Sequence, residues 1–179
     1  MVLSELDPKA MSEADNSTIC THTPPETVAE FIDNLDPLAD PKPSPSSVPW
    51  PGYNFLIRDV ETGHLITLED GRIIMAQPGG PGSIHWQCVE TKGWLGFRNT
   101  VSGRYLGHDP QGKLCCSAGR HQGWENFSVR LRPDGGYVLL MTHFERLWHI
   151  GIKHEKGFQT LAKLGDGGSD GIIWEFVKV

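Results

Sequence analysis

The feature that most constrains this chain is an internal repeat of about 40 residues that runs through residues 55–179. Residues 55–93 align with 94–136. Phe55-Leu56-Ile57-Arg58 lies over Leu95-Gly96-Phe97-Arg98, Thr62-Gly63-His64-Leu65-Ile66 over Ser102-Gly103-Arg104-Tyr105-Leu106, and Gly71-Arg72-Ile73-Ile74 over Gly112-Lys113-Leu114-Cys115. Trp86-Gln87-Cys88-Val89 lies over Trp124-Glu125-Asn126-Phe127, so the four offsets are 40, 40, 41 and 38. The third copy, 137–179, is more diverged and keeps Tyr137-Val138-Leu139-Leu140, Leu147-Trp148-His149-Ile150, Gly157-Phe158 and Trp174-Glu175-Phe176-Val177. This alignment puts Trp86, Trp124 and Trp174 at equivalent points and predicts that all three are core residues. Trp94 and Trp148 fall outside the pattern and are candidates for a ligand surface. Trp50, at the end of a linker, is expected to close the entrance to the domain.

Each repeat reads as four short strands. Phe127, Val129 and Leu131 alternate with Ser128, Arg130 and Arg132, the period of a half-buried strand. Turn residues separate the strands: Asp70-Gly71, Asp109-Pro110-Gln111-Gly112 and Pro133-Asp134-Gly135-Gly136. Asp, Pro and Gly at the first, second and fourth places suit a type I turn. A lone four-stranded unit would expose its edges, whereas three copies can close. The expectation is therefore an all-β domain over 49–179, in which twelve strands in three copies make a closed barrel with a hairpin cap. No helix-period segment follows residue 50.

Three four-stranded repeats of this length resemble a β-trefoil. Repeat 2 carries the nearest likeness, in Gly103-Arg104-Tyr105-Leu106, Asp109, Gly112-Lys113-Leu114, Gly123-Trp124-Glu125-Asn126-Phe127-Ser128-Val129 and Gly136-Tyr137-Val138-Leu139. These segments are similar to the repeat of the fascin-like, actin-crosslinking trefoils, and the whole chain looks like small fungal single-trefoil proteins. The resemblance covers residues 53–179. It implies a β-trefoil fold and names the actin filament as a candidate partner. Family fascins string several trefoils together; this chain has one, so bundling would require a dimer or a second site.

Charge divides the chain. Residues 1–48 carry nine acids and two bases, whereas residues 92–132 hold Lys92, Arg98, Arg104, Lys113, Arg120, Arg130 and Arg132 against only Asp109 and Glu125. The basic third suits an acidic partner, and Arg98, Arg104, Lys113, Arg120, Arg130 and Arg132 are the candidate binding residues. The acidic segment is expected to be largely disordered and to end in a Pro/Ser-rich linker. Thr23-Pro24-Pro25-Glu26 forms a capping box. The stripe Val28, Phe31, Ile32 and Leu35 then predicts one short helix over 24–36, docked on its own domain or on a partner.

Motifs for chemistry are weak. Gly167-Gly168-Ser169-Asp170-Gly171 matches G-x-S-x-G, but a strand follows it where a nucleophile elbow needs a helix. Seven histidines of the repeats lack metal-ligand spacing. Cys20, Cys88, Cys115 and Cys116 contain no C-x-x-C and are expected to be free thiols. The acidic opening residues lack a signal peptide, and no apolar run is long enough to span a membrane, so a cytoplasmic protein is expected. No metal, cofactor or catalytic residue is expected, and a basic third offset by an acidic segment is not a nucleic-acid footprint. The sequence thus favours a non-catalytic module that binds a protein. The alternative is a lectin, since Gln122-Gly123-Trp124 fits the Gln-x-Trp of ricin-type trefoils in one repeat of three. A small enzyme is the third reading.

Overall fold

A computed structural model describes residues 46–155, 157–165 and 171–179. The expected helix over 24–36, the acidic segment around it and Gly167–Asp170 lie outside the described residues. Twelve strands form: β1 (Asn54–Asp59), β2 (Leu65–Glu69), β3 (Arg72–Ala76), β4 (Trp86–Thr91), β5 (Trp94–Asn99), β6 (Tyr105–His108), β7 (Leu114–Ala118), β8 (Phe127–Leu131), β9 (Tyr137–His143), β10 (Arg146–Glu155), β11 (Phe158–Lys163) and β12 (Ile173–Lys178). A 3₁₀ turn, Gly123–Glu125, precedes β8.

Antiparallel pairing runs β1 to β4, β4 to β5, β5 to β8, β8 to β9, β9 to β12 and β12 back to β1. That ring is a closed six-stranded barrel, so no barrel strand offers an open edge. The remaining strands form three hairpins, β2–β3, β6–β7 and β10–β11. One barrel capped by three hairpins, built from three four-stranded copies, is the β-trefoil.

Register identifies the equivalent positions. Phe55 pairs with Trp86, Leu95 with Phe127 and Tyr137 with Trp174. Two residues further along the first strand of each repeat stand Ile57, Phe97 and Leu139, all fully buried. On the last strands the next inward positions are Cys88, Val129 and Phe176. The large Phe176 occupies the centre, stacked on Phe97 at 5.8 Å and edge-on to Tyr137 at 5.5 Å and Phe55 at 6.3 Å. Its symmetry mates are small, and that size difference lets one aromatic ring fill an axis that three could not share.

Local turns follow from single residues. Asp59 accepts from the Glu61 amide and the Thr62 hydroxyl, and Asn99 accepts from the Val101 and Ser102 amides. These side chains close the same turn in repeats 1 and 2, with Gly63 and Gly103 at φ of 72° and 68°. Repeat 3 has Met141 there, and its β9–β10 turn is instead a tight hairpin whose Phe144 takes φ 52° and is 93% exposed.

Two expectations about tryptophan are corrected. Phe127, not Trp124, is the mate of Trp86 and Trp174, so the fourth offset is 41 rather than 38. Trp86 and Trp174 are fully buried, while Trp124 lies three residues before the barrel position and is 52% exposed. Trp50 does not seal an entrance, being 66% exposed. Among the described residues no helix is long and apolar enough to cross a membrane.

Candidate binding groove where repeat 2 departs from symmetry

The three repeats enter their last strand differently. Counting three residues back from Trp86, Phe127 and Trp174 gives Ser83, Trp124 and Gly171. Leu68 faces Ser83 and His108 faces Trp124, while Gly171 lies against His149 and Ile150. In repeat 1 the backbones of Leu68 and Ser83 bond to each other, at 2.9 and 2.8 Å. This close approach depends on Gly82, whose added Cβ would lie 2.7 Å from Thr67 Cγ2. In repeat 2 the side chains meet instead. The Trp124 indole stacks on the His108 imidazole, centroids 5.1 Å apart and planes 22° from parallel.

The 3₁₀ turn makes that stack possible. The Glu125 amide donates to the Gln122 carbonyl at 3.1 Å, and Glu125 Oε2 accepts from the Gln122 amide at 3.0 Å. Glu125 is therefore turned inward and buried. Burial pushes its carboxyl up, against the hydrogen bonds from the Gln122 and Glu125 amides, which pull it down. The turn sits directly on Gly107, where a Cβ would come within 2.9 Å of Glu125 Oε1 and 3.0 Å of the Trp124 carbonyl. The equivalent of Gly107 in repeat 1 is Thr67, which leaves no room for such a turn. The Thr142 hydroxyl on β9 fixes the other side by donating to the Gly123 carbonyl at 2.8 Å.

The surface so formed is an open groove of about 850 Å³ lined by Ala118, Gly119, Arg120, Gln122, Trp124 and Glu125. A second depression of about 390 Å³ lies across Gln122 and Gly123 and carries Lys92, Trp94 and His121. His121 is held between Tyr105, with which it stacks at 5.8 Å, and the Cβ-less backbone of Gly96. Burial holds His121 below its ordinary value. The two depressions together present aromatic faces and cations, with their single carboxylate turned away.

Behind Trp124 the polar chain continues across the seam to repeat 3. His108 Nδ1 lies 2.7 Å from the Asp109 carbonyl, and Nε2 lies 2.9 Å from Lys163 Nζ. Lys163 also donates to the Thr142 carbonyl at 3.2 Å and stands 5.9 Å from the centre of the Trp148 ring. Trp148 in turn stacks on His143 at 3.3 Å.

The predicted basic residues do not converge. Arg120 lines the Trp124 groove. Arg104 reaches the same strand end, donating to the Ser117 carbonyl at 3.4 Å. Lys113 lies in a separate depression with Asp109, Lys153 and Glu155. Arg132 holds Asp134 through two bonds of 2.9 and 2.8 Å in a third. Arg98 donates to the Gly103 carbonyl at 2.9 Å in a fourth, and Arg130 is exposed on β8. Of the two predicted tryptophans, Trp94 lines the groove's second depression and Trp148 is half-buried in the seam. Residues that sequence reasoning missed as a group are His108, Lys163 and Thr142. The 38-residue offset was the available signal, since it marked Trp124 as out of step with the repeat.

Burial pushes the Cys88 thiol up to about 12, helped by Glu90, and the Cys116 thiol up to about 11. Thiols held that high are protonated and poor nucleophiles at neutral pH. Among the described residues no three His, Cys, Asp or Glu side chains gather to hold a metal ion.

No protein-family model matches the chain, and no curated protein sequence matches it. Among solved structures, the designed 3-fold symmetric protein ThreeFoil is similar, with a TM-score of 0.57 at 14% identity over 70% of this chain and 99% of that chain. At that identity the likeness speaks to the fold alone: this chain folds as a β-trefoil.

Proposed function

We propose that the chain is a non-catalytic binding module that recognises a protein surface through the Arg120–Trp124 groove, with the actin filament as the named candidate. The observation that carries the reading is Trp124, half-exposed on the stiff backing of His108, with Arg120 lining the same groove. Trp and Arg are the side chains that dominate protein interfaces, and a prearranged indole loses little freedom on binding. Actin enters through the likeness of repeat 2 to the fascin-like trefoils. Arg98, Arg104, Lys113, Arg130 and Arg132 contribute a steering field around the groove rather than one contact patch, so association falls as salt rises.

Co-sedimentation of the full chain with F-actin at two salt concentrations tests this. The expected result is pelleting at low salt that weakens at high salt, with a loss of about tenfold or more in the Trp124→Ala/Arg120→Gln variant. Pelleting that ignores both salt and the substitutions would remove the groove from the account. No pelleting at low salt would remove actin.

A second reading, a glycan, is favoured by one observation: the half-exposed Trp124 ring lines the groove together with Gln122. Sugar binding there would tolerate salt. A tryptophan emission spectrum unchanged across a broad glycan panel would exclude it.

A further inference from the structure

We propose that His108 and Lys163 form a proton-operated latch across the seam between repeats 2 and 3, closed while His108 is neutral and open once it is protonated. The geometry assigns the closed state. A lysine ammonium carries only donors, so at 2.9 Å from Lys163 Nζ the His108 Nε2 must be the acceptor. The ring proton is then on Nδ1, where it donates to the Asp109 carbonyl at 2.7 Å. Adding the second proton places an N–H against an ammonium at the same distance. That contact exchanges a hydrogen bond for a like-charge repulsion and cannot persist.

Lys163 is the group that moves. His108 is fixed on one face by Trp124 and on its edge by Asp109, and an imidazolium stacks at least as well on an indole as the neutral ring does. Lys163 gives up its bond to the Thr142 carbonyl and its place near the Trp148 ring. Thr142 is also the residue whose hydroxyl anchors the Gly123 carbonyl, so opening the latch loosens one wall of the groove.

The other groups facing His108 bias this equilibrium without replacing it. From β9, His143 adds positive charge when it protonates. Beside His108, the Asp109 carboxylate favours the charged ring, but it is already engaged by the Gln111 and Lys113 amides. From the 3₁₀ turn, Glu125 is buried against Gly107. From β10, Trp148 lies against His143 and Lys163, and Lys153 and Glu155 line the depression that holds Asp109. The balance holds His108 below the ordinary histidine value, burial being the largest cause and Lys163 and His143 adding to it against Asp109. The latch therefore opens on the acid side of the ordinary histidine value.

The test needs no partner, so it stands or falls separately from the function of the groove. In the isotope-labelled full chain, His108 is titrated by NMR while contacts from the Lys163 side chain to the His108 and Trp148 rings are followed by NOE. The expected result is a His108 midpoint below 6.5 and loss of both sets of NOEs at that same midpoint. In Lys163→Met the midpoint should rise by about half a unit or more. In His108→Gln, where a neutral amide oxygen can accept from Lys163 at any pH, the Lys163–Trp148 NOEs should survive acidification. NOEs that persist through the His108 transition would overturn the latch. So would their loss in His108→Gln at the wild-type midpoint, since another group would then be the trigger. Should Lys163→Met fail to fold, the His108→Gln arm still decides.

Discussion

Repeats 1 and 2 solve the same problem, entering the last barrel strand, in opposite ways. Repeat 1 closes the approach with backbone: Gly82 lets Leu68 and Ser83 bond directly, and Trp86 then drops into the barrel with its Nε1 donating to the Ile66 carbonyl at 2.9 Å. Repeat 2 gives the barrel position to Phe127 and moves the glycine to Gly107 on the hairpin side. The space released is filled by a 3₁₀ turn that holds an indole at the surface. Burying Trp86 makes it a residue of stability. Exposing Trp124 leaves an apolar face available for something other than folding. In a scaffold built by repetition, function is most visible where one copy spends a large side chain that its sisters do not need.

The largest expected difference between the two tryptophans is thermodynamic. Trp86→Ala opens a cavity at the barrel wall and orphans the Ile66 carbonyl, at a cost of about 3–5 kcal/mol. Trp124→Ala removes a half-exposed ring and should cost below about 1 kcal/mol. Urea unfolding of the two variants side by side measures the contrast, and comparable losses would break it.

Next in size is the glycine exchange. Gly107→Ala drives a Cβ into Glu125 and the Trp124 carbonyl and should cost about 1–3 kcal/mol while shifting the emission of Trp124. Gly123→Ala meets nothing within 4 Å and should leave both stability and emission near wild type. Equal effects would mean that the turn is not seated on Gly107.

A smaller effect belongs to pH. Folding holds His108 and His121 below 6.5, in each case chiefly by burial. In the unfolded chain both take up protons first as pH falls. The stability they contribute is therefore fully present above 6.5 and is lost as pH drops through the window down to their folded values. Repeat 1 has the uncharged Leu68 at the position of His108 and supplies no such slope. Thermal midpoints measured from pH 7.5 downward should fall less steeply in His108→Gln than in wild type, and identical profiles would contradict the assignment.

Much of the scaffold was legible from sequence because it repeats. The Gly63/Gly103 turns, the alternation in β8 and the offset of about 40 all report backbone requirements that each copy must meet. The twelve strands, six in the barrel and six in the hairpins, follow from them. The groove was harder to see because it consists of departures. Trp124 looked like a third core tryptophan because it follows a glycine and precedes an apolar strand, and only register separates it from Phe127 by three residues. His108 and Lys163 are 55 positions apart, joined only by the way the hairpins close over the barrel. The basic third was readable as composition, but alternation and separate turns carry its side chains to four depressions. Net charge over a segment does not state which way its residues point.

The central claim is that binding resides where repeat 2 departs from repeat 1. It is tested most directly by restoring the repeat 1 pair: His108→Leu with Trp124→Ser in the full chain, assayed by F-actin co-sedimentation at low salt beside wild type. The account predicts a folded protein with a retained unfolding midpoint and filament binding reduced at least about tenfold. A folded double variant that pellets as wild type does would contradict it.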